Sequence, residues 1–573
     1  MTRSNDEVAA RLSEMAELLS IGGGDPYRVR AYEKAARAVE SYPLEVDELD
    51  ARALDEIPAV GSHIAAKILQ LASTGHLDEL DELRAQVPAG LRSLLGVPGL
   101  GPKRARQIYD ELHVTSLPEL AEAVRAEQLR HLKGWGDKSE AHLGEVLRQY
   151  REAAGRMQLA TALALAEELL GELASVPGVE RATYAGSLRR RCETIGDIDL
   201  LVAAVDPVPV MDAFAACRLV AEVGARGSTK SVATTTTGVQ VDLRVIPPEV
   251  FGAALVYFTG SKAHGIHLRR IAQRRGFKLS EYGLERVADG SVLASATEEQ
   301  IYAALGLSYV PPPLREDTGE IEAAANGELP ELVEVVDLRG DLHTHTTLSD
   351  GLATLEEMVA AARSRRYRYL GITDHAPLLA MQRVTAEKVL DQRRAVEALR
   401  RPDLELLHGS ELNIQPDGSL DWDDDFLSGF DVLVASVHSA FQMSRDDMTK
   451  RLIRAVEHPS VNILGHPTGR SLGHRPAIEC DWEAVFDAAA RSGTALEVNS
   501  FPDRLDLPGE LARLAQQHGA VLAISSDAHA TRHLDHVALG AATAQRGWVR
   551  PDSVINTWPI GRLRRFLRKE WHP

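Results

Sequence analysis

The stretch Tyr184–Val202, YAGSLRRRCETIGDIDLLV, sets a Gly-Ser turn and three arginines ahead of two aspartates spaced i, i+2. Alternate residues of a strand share one face, so Asp197 and Asp199 project together beside a turn rich in phosphate-binding groups. Two carboxylates on one face repel unless a cation lies between them. Mg2+ or Mn2+, which take oxygen ligands and keep substrate phosphates as partners, suit that position. A third carboxylate is expected from Val239–Ile246, VQVDLRVI, where alternating apolar residues put Asp242 on the polar face of a half-buried strand. Three aspartates can hold two ions about 4 Å apart, which clamps the attacking and leaving oxygens of an in-line phosphoryl displacement.

The order GS, RR, GDID within fourteen residues resembles the nucleotidyltransferase palm of X-family DNA polymerases, the group that includes DNA polymerase beta. YFTGSK at Tyr257–Lys262 resembles the segment with which that family reads the incoming sugar. The resemblance implies catalytic metal ligands at Asp197, Asp199 and Asp242, and triphosphate contacts from Arg156, Gly186, Ser187, Arg190 and Gly196. It further implies Tyr257, Phe258 and Gly260 against the sugar and Arg269 toward the template minor groove. Arg189 receives no clear role, and Gly265 stands where the family usually has an asparagine.

At 573 residues the chain is long enough for three or more structural units. No apolar run approaches the roughly 20 residues of a membrane helix. The polar start MTRSNDEVAA is no signal peptide, so the expected location is the cytoplasm, with no membrane partner. Cys192, Cys217 and Cys480 are too scattered for a zinc knuckle or disulfide framework and read as reduced thiols. With 83 acidic against 64 basic residues the net charge is −19, which argues against broad electrostatic binding of nucleic acid. DNA contact then has to rest on local patches such as Arg189–Arg191 and Arg269–Lys278, on backbone N–H donors and on metals.

The first 150 residues read as helices, with apolar spacing of helical period in VAARLSEMAELL from Val8 and a second helix closed by Pro43. IPAVGSHIAAKI at Ile57–Ile68 and VPGLGPKRARQI at Val97–Ile108 each set a Pro-x-x-Gly turn before a helix, and LKGWGDKSEAHL from Leu132 is a weaker third copy. These segments resemble helix-hairpin-helix motifs. There, backbone N–H groups around Val60, Gly61, Gly99 and Gly101 would approach a DNA phosphate through Na+ or K+. Ala59 replaces a customary glycine in the first copy. By the same resemblance Lys67 matches a Schiff-base lysine of a lyase domain and Tyr32 a 5′-phosphate contact. Such a lysine must be neutral to attack, and a solvated helix lysine is the competing reading.

From Asp337 short apolar runs recur, each followed by polar residues and then a helical pattern. They deliver His343, His345, Asp350, Asp374, His375, Glu411, His438, His466, Glu497, Asn499, Asp527 and His529 after seven strands. That pattern suggests a (β/α)7 barrel with its site at the C-terminal ends of the strands. Imidazoles mixed with carboxylates suit Zn2+ or Mn2+ and phosphoester hydrolysis. The segment resembles the polymerase and histidinol phosphatase (PHP) domain. Its nine ligands fall on His343, His345, Asp350, His375, Glu411, His438, His466, Asp527 and His529, implying three ions. Asp374 and Glu497 are left to the supporting structure.

The fold class expected is therefore multidomain α+β and α/β. Its units are a helical lyase-like domain at 1–85, fingers at 86–154, a palm at 155–250, a thumb at 251–317, a linker at 318–336 and a PHP barrel at 337–573. The resemblances identify a bacterial X-family DNA polymerase with a PHP domain. They imply gap filling on gapped or primed DNA with dNTPs and a 3′→5′ exonuclease, with abasic-site cleavage and 5′-deoxyribose phosphate lyase as further activities of a monomer. Two other readings stay open: a non-DNA nucleotidyltransferase fused to a phosphoesterase, which would not need the hairpins, and a DNA-binding scaffold whose sites are inactive.

Overall fold

The computed structural model describes residues 5–570 except 23, 41, 43–45, 47–48, 56, 58, 88–90, 92–93, 95–96, 98–99, 138, 145–146, 148–155 and 379–383. Helices Asn5–Ile21 and Pro26–Glu40 pack through Leu12, Met15, Ala35 and Val39, and helix Ser62–Thr74 adds Ile64, Ile68 and Leu71 to the same core. A separate core of Leu100, Ala105, Ile108, Leu120 and Leu143 organises helices Pro102–Leu112 and Leu117–Arg125.

The palm is a five-stranded sheet in the spatial order Val179–Tyr184, Ile198–Ala204, Gln240–Ile246, Lys230–Thr235, Val220–Arg226. Its central pair is parallel, with Asp199 directly opposite Asp242. Leu200, Val202, Leu243 and Val245 turn to the core beneath the helix Leu159–Ala174, which leaves the aspartates on the open face.

The thumb packs helices Phe251–Thr259, Lys262–Arg274 and Glu298–Ala304 around Val256, Leu268, Ile301 and Tyr302. The stretch 318–336, read from sequence as a linker, is corrected in its first part. Glu320–Asn326 is a helix with Ile321 and Ala324 in the thumb core. Its apolar signal is weak because a buried polar chain completes its face: His264 Nδ1 lies 2.6 Å from Glu320 Oε1 and His264 Nε2 lies 2.7 Å from the Tyr302 hydroxyl.

Seven parallel strands follow in sequential order: Gly340–Asp341, Tyr369–Ile372, Glu405–Asn413, Val432–Ser436, Ile463–Leu464, Ala495–Asn499 and Leu522–Ser525. A parallel bridge between Thr344 and Ala528 brings the first and last strands together, so the sheet curls into the expected barrel. The barrel also sits on the palm. Leu505 and Leu539 enter the palm core, and the Arg470 guanidinium donates to both Glu193 oxygens at 3.0 and 2.8 Å.

Palm and thumb are joined by buried charge. Glu298 accepts from Arg189 Nη2 at 2.6 Å and from the fully buried Arg315 Nη1 at 2.7 Å. Burial opposes ionisation of Glu298, but Arg189 and Arg315 outweigh it and pull the carboxyl down to about 2. Replacing Arg315 with Met should cost about 1–3 kcal/mol, because the buried Glu298 keeps Arg189 but loses one charged donor. Urea unfolding monitored on the full chain measures that loss.

Candidate active sites

The turn after strand Val179–Tyr184 enters a short helix, Gly186–Arg189, whose first residue has φ +58. A β-carbon at Gly186 would collide with the Asp199 carboxylate. Glycine is thus required both for the left-handed backbone and for the close approach of turn to strand. Above it opens a cavity of about 470 Å³, in which Asp197 and Asp199 face Ser187, Arg190, Tyr257 and Phe258. Arg156, Gly186, Gly260 and Arg269 also line it, together with Cys192 and Lys262, which the sequence reading had not selected. Arg156 is anchored on Thr194, its Nε donating to the hydroxyl at 2.9 Å, and its guanidinium lies against Gly196.

Asp242 stands beside Asp199 across the strand pair, bridged to Lys230 at 3.2 Å and accepting from Gln240 at 2.9 Å. Burial, then Asp197 and Asp242, push Asp199 up from its ordinary 3.8 to about 6. That is the repulsion expected of carboxylates gathered without a cation, and the all-oxygen donor set fits Mg2+ or Mn2+. Tyr257 and Phe258 meet edge to face at 5.0 Å, with Arg244 over Phe258 and Arg269 over Tyr257. Space around Gly265 is open where the asparagine of the resemblance would stand.

Arg189 is accounted for: its guanidinium is spent on Glu298 and Thr259. Arg190 donates to Thr259 O at 2.6 Å and to Glu316 at 3.0 Å, and the barrel residue Arg546 shares that Glu316 oxygen at 2.9 Å.

In the barrel, all nine proposed ligands converge at the C-terminal ends of the strands. His345, Asp350, His375 and His529 form one group of mutually close donor atoms, His343, His345 and Asp527 a second, and His375, Glu411 and His438 a third. His466 Nε2 joins them 2.9 Å from Glu411. His343 turns Nδ1 to Glu497 at 2.7 Å, His438 turns Nδ1 to Asn413 at 2.8 Å, and His529 turns Nδ1 to the Asp527 carbonyl at 2.7 Å. Such contacts fix the tautomer and aim Nε2 at the cluster. His343 Nε2 is buried there with no hydrogen-bond partner, which fits a metal ligand.

Burial disfavours charge in the cluster and wins at His345 and at His466, which it brings down to about 3, whereas opposite charges prevail at Glu411 and His343. His375, His438 and His343 hold Glu411 well below the carboxylate range, and Glu497 and Asp527 raise His343. Two of the expected ligands, His466 and Asp527, sit on left-handed backbone at φ 27 and 55, strain of the kind that collects at functional sites. Asp374 instead binds the Thr346, Ser349 and Gln392 side chains, so it braces the loop that carries the ligands.

One charged residue at this site was missed. Arg504 lies 3.6 Å from Asp527; burial opposes its charge, but Asp527, Asp503 and Glu411 raise it further. It stands in FPDRLDLP, the loop after strand Ala495–Asn499, several residues beyond the strand end where the polar signal was sought.

In the helical region Gly61 and Gly101 are exposed residues preceding helices with no side-chain cap, and the space around each is open. Ala59 takes φ 64, which explains why glycine is customary there. Val60 is buried, and Gly99 lies outside the described residues. Lys67 is held in an ion pair by Glu79, which Arg28 also engages, and Tyr32 is buried nearby.

Known protein families match several stretches of the chain. DNA polymerase beta thumb matches residues 254–316, a helix-hairpin-helix domain matches 3–77, a SAM-like helix-hairpin-helix tandem matches 91–148 and a PHP domain matches 341–500. Together these define an X-family DNA polymerase core fused to a PHP barrel. Bacillus subtilis (strain 168) DNA polymerase/3′-5′ exonuclease PolX is 34% identical over 568 residues, spanning 98% of this chain and 99% of that protein. The chain belongs to that PolX family. Rat DNA polymerase lambda is 28% identical over 55% of this chain and 57% of its own length. A probable phosphatase of Thermoanaerobacter sp. (strain X514) is 28% identical over 40% of this chain and 94% of its own length. No described helix is long and apolar enough to cross a membrane.

The raised Asp199 gives a signed prediction for protein held in EDTA. Its extra proton stabilises the fold below about pH 4 and that contribution is lost as pH rises through about 6. Relative to wild type, Asp199→Asn should therefore gain nothing below about pH 4, gain progressively as pH rises through about 6, and hold an advantage on the order of 2 kcal/mol above it. Thermal unfolding across the pH series reads the difference.

Proposed function

We propose that this chain fills short gaps in DNA by template-directed extension and shortens 3′ ends in its barrel. The observation that carries the reading is coverage: a relative named DNA polymerase/3′-5′ exonuclease matches across both catalytic units and the hairpins, over 98% of this chain. The hairpins argue against a nucleotidyltransferase of small molecules, and the convergent barrel ligands argue against a scaffold with lapsed sites.

In the palm, Asp197, Asp199 and Asp242 would hold two Mg2+ or Mn2+ ions. Ser187 and Arg190 then meet the triphosphate, Arg190 exchanging Glu316 for phosphate oxygens, while Arg156 braces Gly196. Tyr257 and Phe258 wall the sugar side, with Arg269 directed at the template strand. Asp242 accepts the proton of the primer 3′-hydroxyl as its oxygen bonds to the α-phosphorus and pyrophosphate leaves.

In the barrel, the nine ligands suit three Zn2+ or Mn2+ ions. Bound cations at either site supply Lewis-acid charge to the phosphoester and lower the pKa of its attacking hydroxyl or water. Arg504 faces the cluster with a permanent charge suited to a non-bridging phosphate oxygen. Gly61 and Gly101 offer backbone donors to DNA phosphates, with Na+ or K+ between. No lyase step is included, since Glu79 occupies Lys67.

A labelled one-nucleotide-gapped duplex with Mn2+ and four dNTPs tests the assignment. Asp197→Ala/Asp199→Ala should abolish extension alone, and His343→Ala/His345→Ala should abolish 3′ shortening alone. Wild-type protein that binds the gap but neither extends nor degrades it overturns the reading. In the same assay Arg504→Ala should slow 3′ shortening by about 10²-fold, the scale for losing one preorganised charge-stabilising donor, with extension unchanged.

A further inference from the structure

The barrel has a second cavity, of about 520 Å³, at the end opposite the ligand cluster. It lies where Arg339 and Arg368 precede strands Gly340–Asp341 and Tyr369–Ile372, and its far wall is the segment Pro551–Pro559 with Arg562. Four arginines line it: Arg339, Arg366, Arg368 and Arg562. In a chain of net charge −19 such a cluster runs against the composition.

Only two acids line it against the four arginines, and both have other partners, although Asp552 also acts on Arg562. Asp337 accepts from the Glu334 backbone at 2.8 Å, and Asp552 pairs with Arg550 at 3.2 Å. Arg339 spends only Nε, on Thr557 O at 2.8 Å, and Arg562 is stacked 3.7 Å over Trp558. Among the described residues, Arg366 and Arg368 are exposed and form no ion pair. Arg366 moreover occupies the left-handed position, φ 61, just past helix Leu355–Ser364, where glycine would be cheaper. Burial depresses Arg562; Asp552 pulls the other way and Arg565 adds to the depression.

We propose that this groove binds the sugar–phosphate backbone of a DNA strand, forming a phosphate-tracking site at the end of the barrel opposite the ligand cluster. Planar guanidinium forks match phosphate oxygens, and several of them at fixed positions suit a polyanion better than one free anion. The exposed Val336 at the rim, 85% accessible, offers an apolar edge to deoxyribose. The proposed phosphate contacts of the hairpins use backbone donors, and this groove adds side-chain counter-charge to an acidic chain. The inference rests on the reading that the chain acts on DNA.

The test compares full-length wild type with Arg366→Gln/Arg368→Gln and with the triple variant that adds Arg562→Gln. Binding of a fluorescent single strand is titrated over a salt series, and barrel hydrolysis of a dinucleotide too short to reach the groove is followed in parallel. Each lost phosphate contact should reduce the salt slope by about 0.7, so the double variant falls by about 1.4 and binds at least ~10-fold more weakly. Dinucleotide hydrolysis should not change. An unaltered slope overturns the proposal, including the cases in which an acidic protein or free phosphate is the true occupant. An equal loss on the dinucleotide also overturns it, because the arginines would then support the barrel itself. Failure of wild type on the dinucleotide would instead fall on the exonuclease reading, leaving the salt slopes to decide the groove.

Discussion

Like charges gathered out of water repel, and both catalytic centres are built on that constraint. In the palm the parallel register of strands Ile198–Ala204 and Gln240–Ile246 forces Asp199 against Asp242, with Asp197 close by. Lys230 relieves one carboxylate, but Asp199 remains pushed up to about 6. The barrel meets the same difficulty with a different mixture, in which histidine nitrogens lie 2.8, 2.9, 3.1 and 3.5 Å from oxygens of Glu411, Asp527 and Asp350. Either arrangement is costly as it stands and is relieved by divalent cations, so metal affinity is prepared by the fold that pays for the crowding.

Arginines distribute the remaining structural work. Arg189 and Arg315 fasten palm to thumb through Glu298, while Arg470 fastens barrel to palm through Glu193. Arg190 lies between the two tasks. It faces the palm cavity, yet its guanidinium and that of Arg546 share Glu316, so a phosphate drawn to Arg190 would change what the barrel helix Val537–Arg546 contacts. Adjacent arginines in one short turn thereby acquire unlike roles. Arg189 reaches Glu298 and Arg190 lines the cavity, as expected of successive residues in a helical turn, which project about 100° apart.

Much of the architecture was legible because its signals are local. Alternation in VQVDLRVI, the Gly-Ser turn before GDID, and polar residues directly after apolar runs each depend on neighbours a few positions away. The helix Glu320–Asn326 escaped because its buried face is completed by Glu320 and His264, residues whose polarity reads as solvent exposure until their partners are known. Arg504 escaped for a related reason: it reaches the cluster from the middle of a loop, where spacing from the strand carries no directional information.

The sequence by itself determined the residue types and their periods: paired aspartates on one strand face, glycine where Gly186 must admit Asp199, and histidines and carboxylates at strand ends. Chemistry of that kind is carried by covalent neighbours and survives without coordinates. Only the tertiary structure decided which charges meet across the chain. Lys67 went to Glu79, Arg189 to Glu298, His343 to Glu497, and four arginines from three separate segments to one groove beneath the barrel. Those pairings join residues far apart in the chain, and electrostatic energy depends on distance in space, which no local pattern encodes.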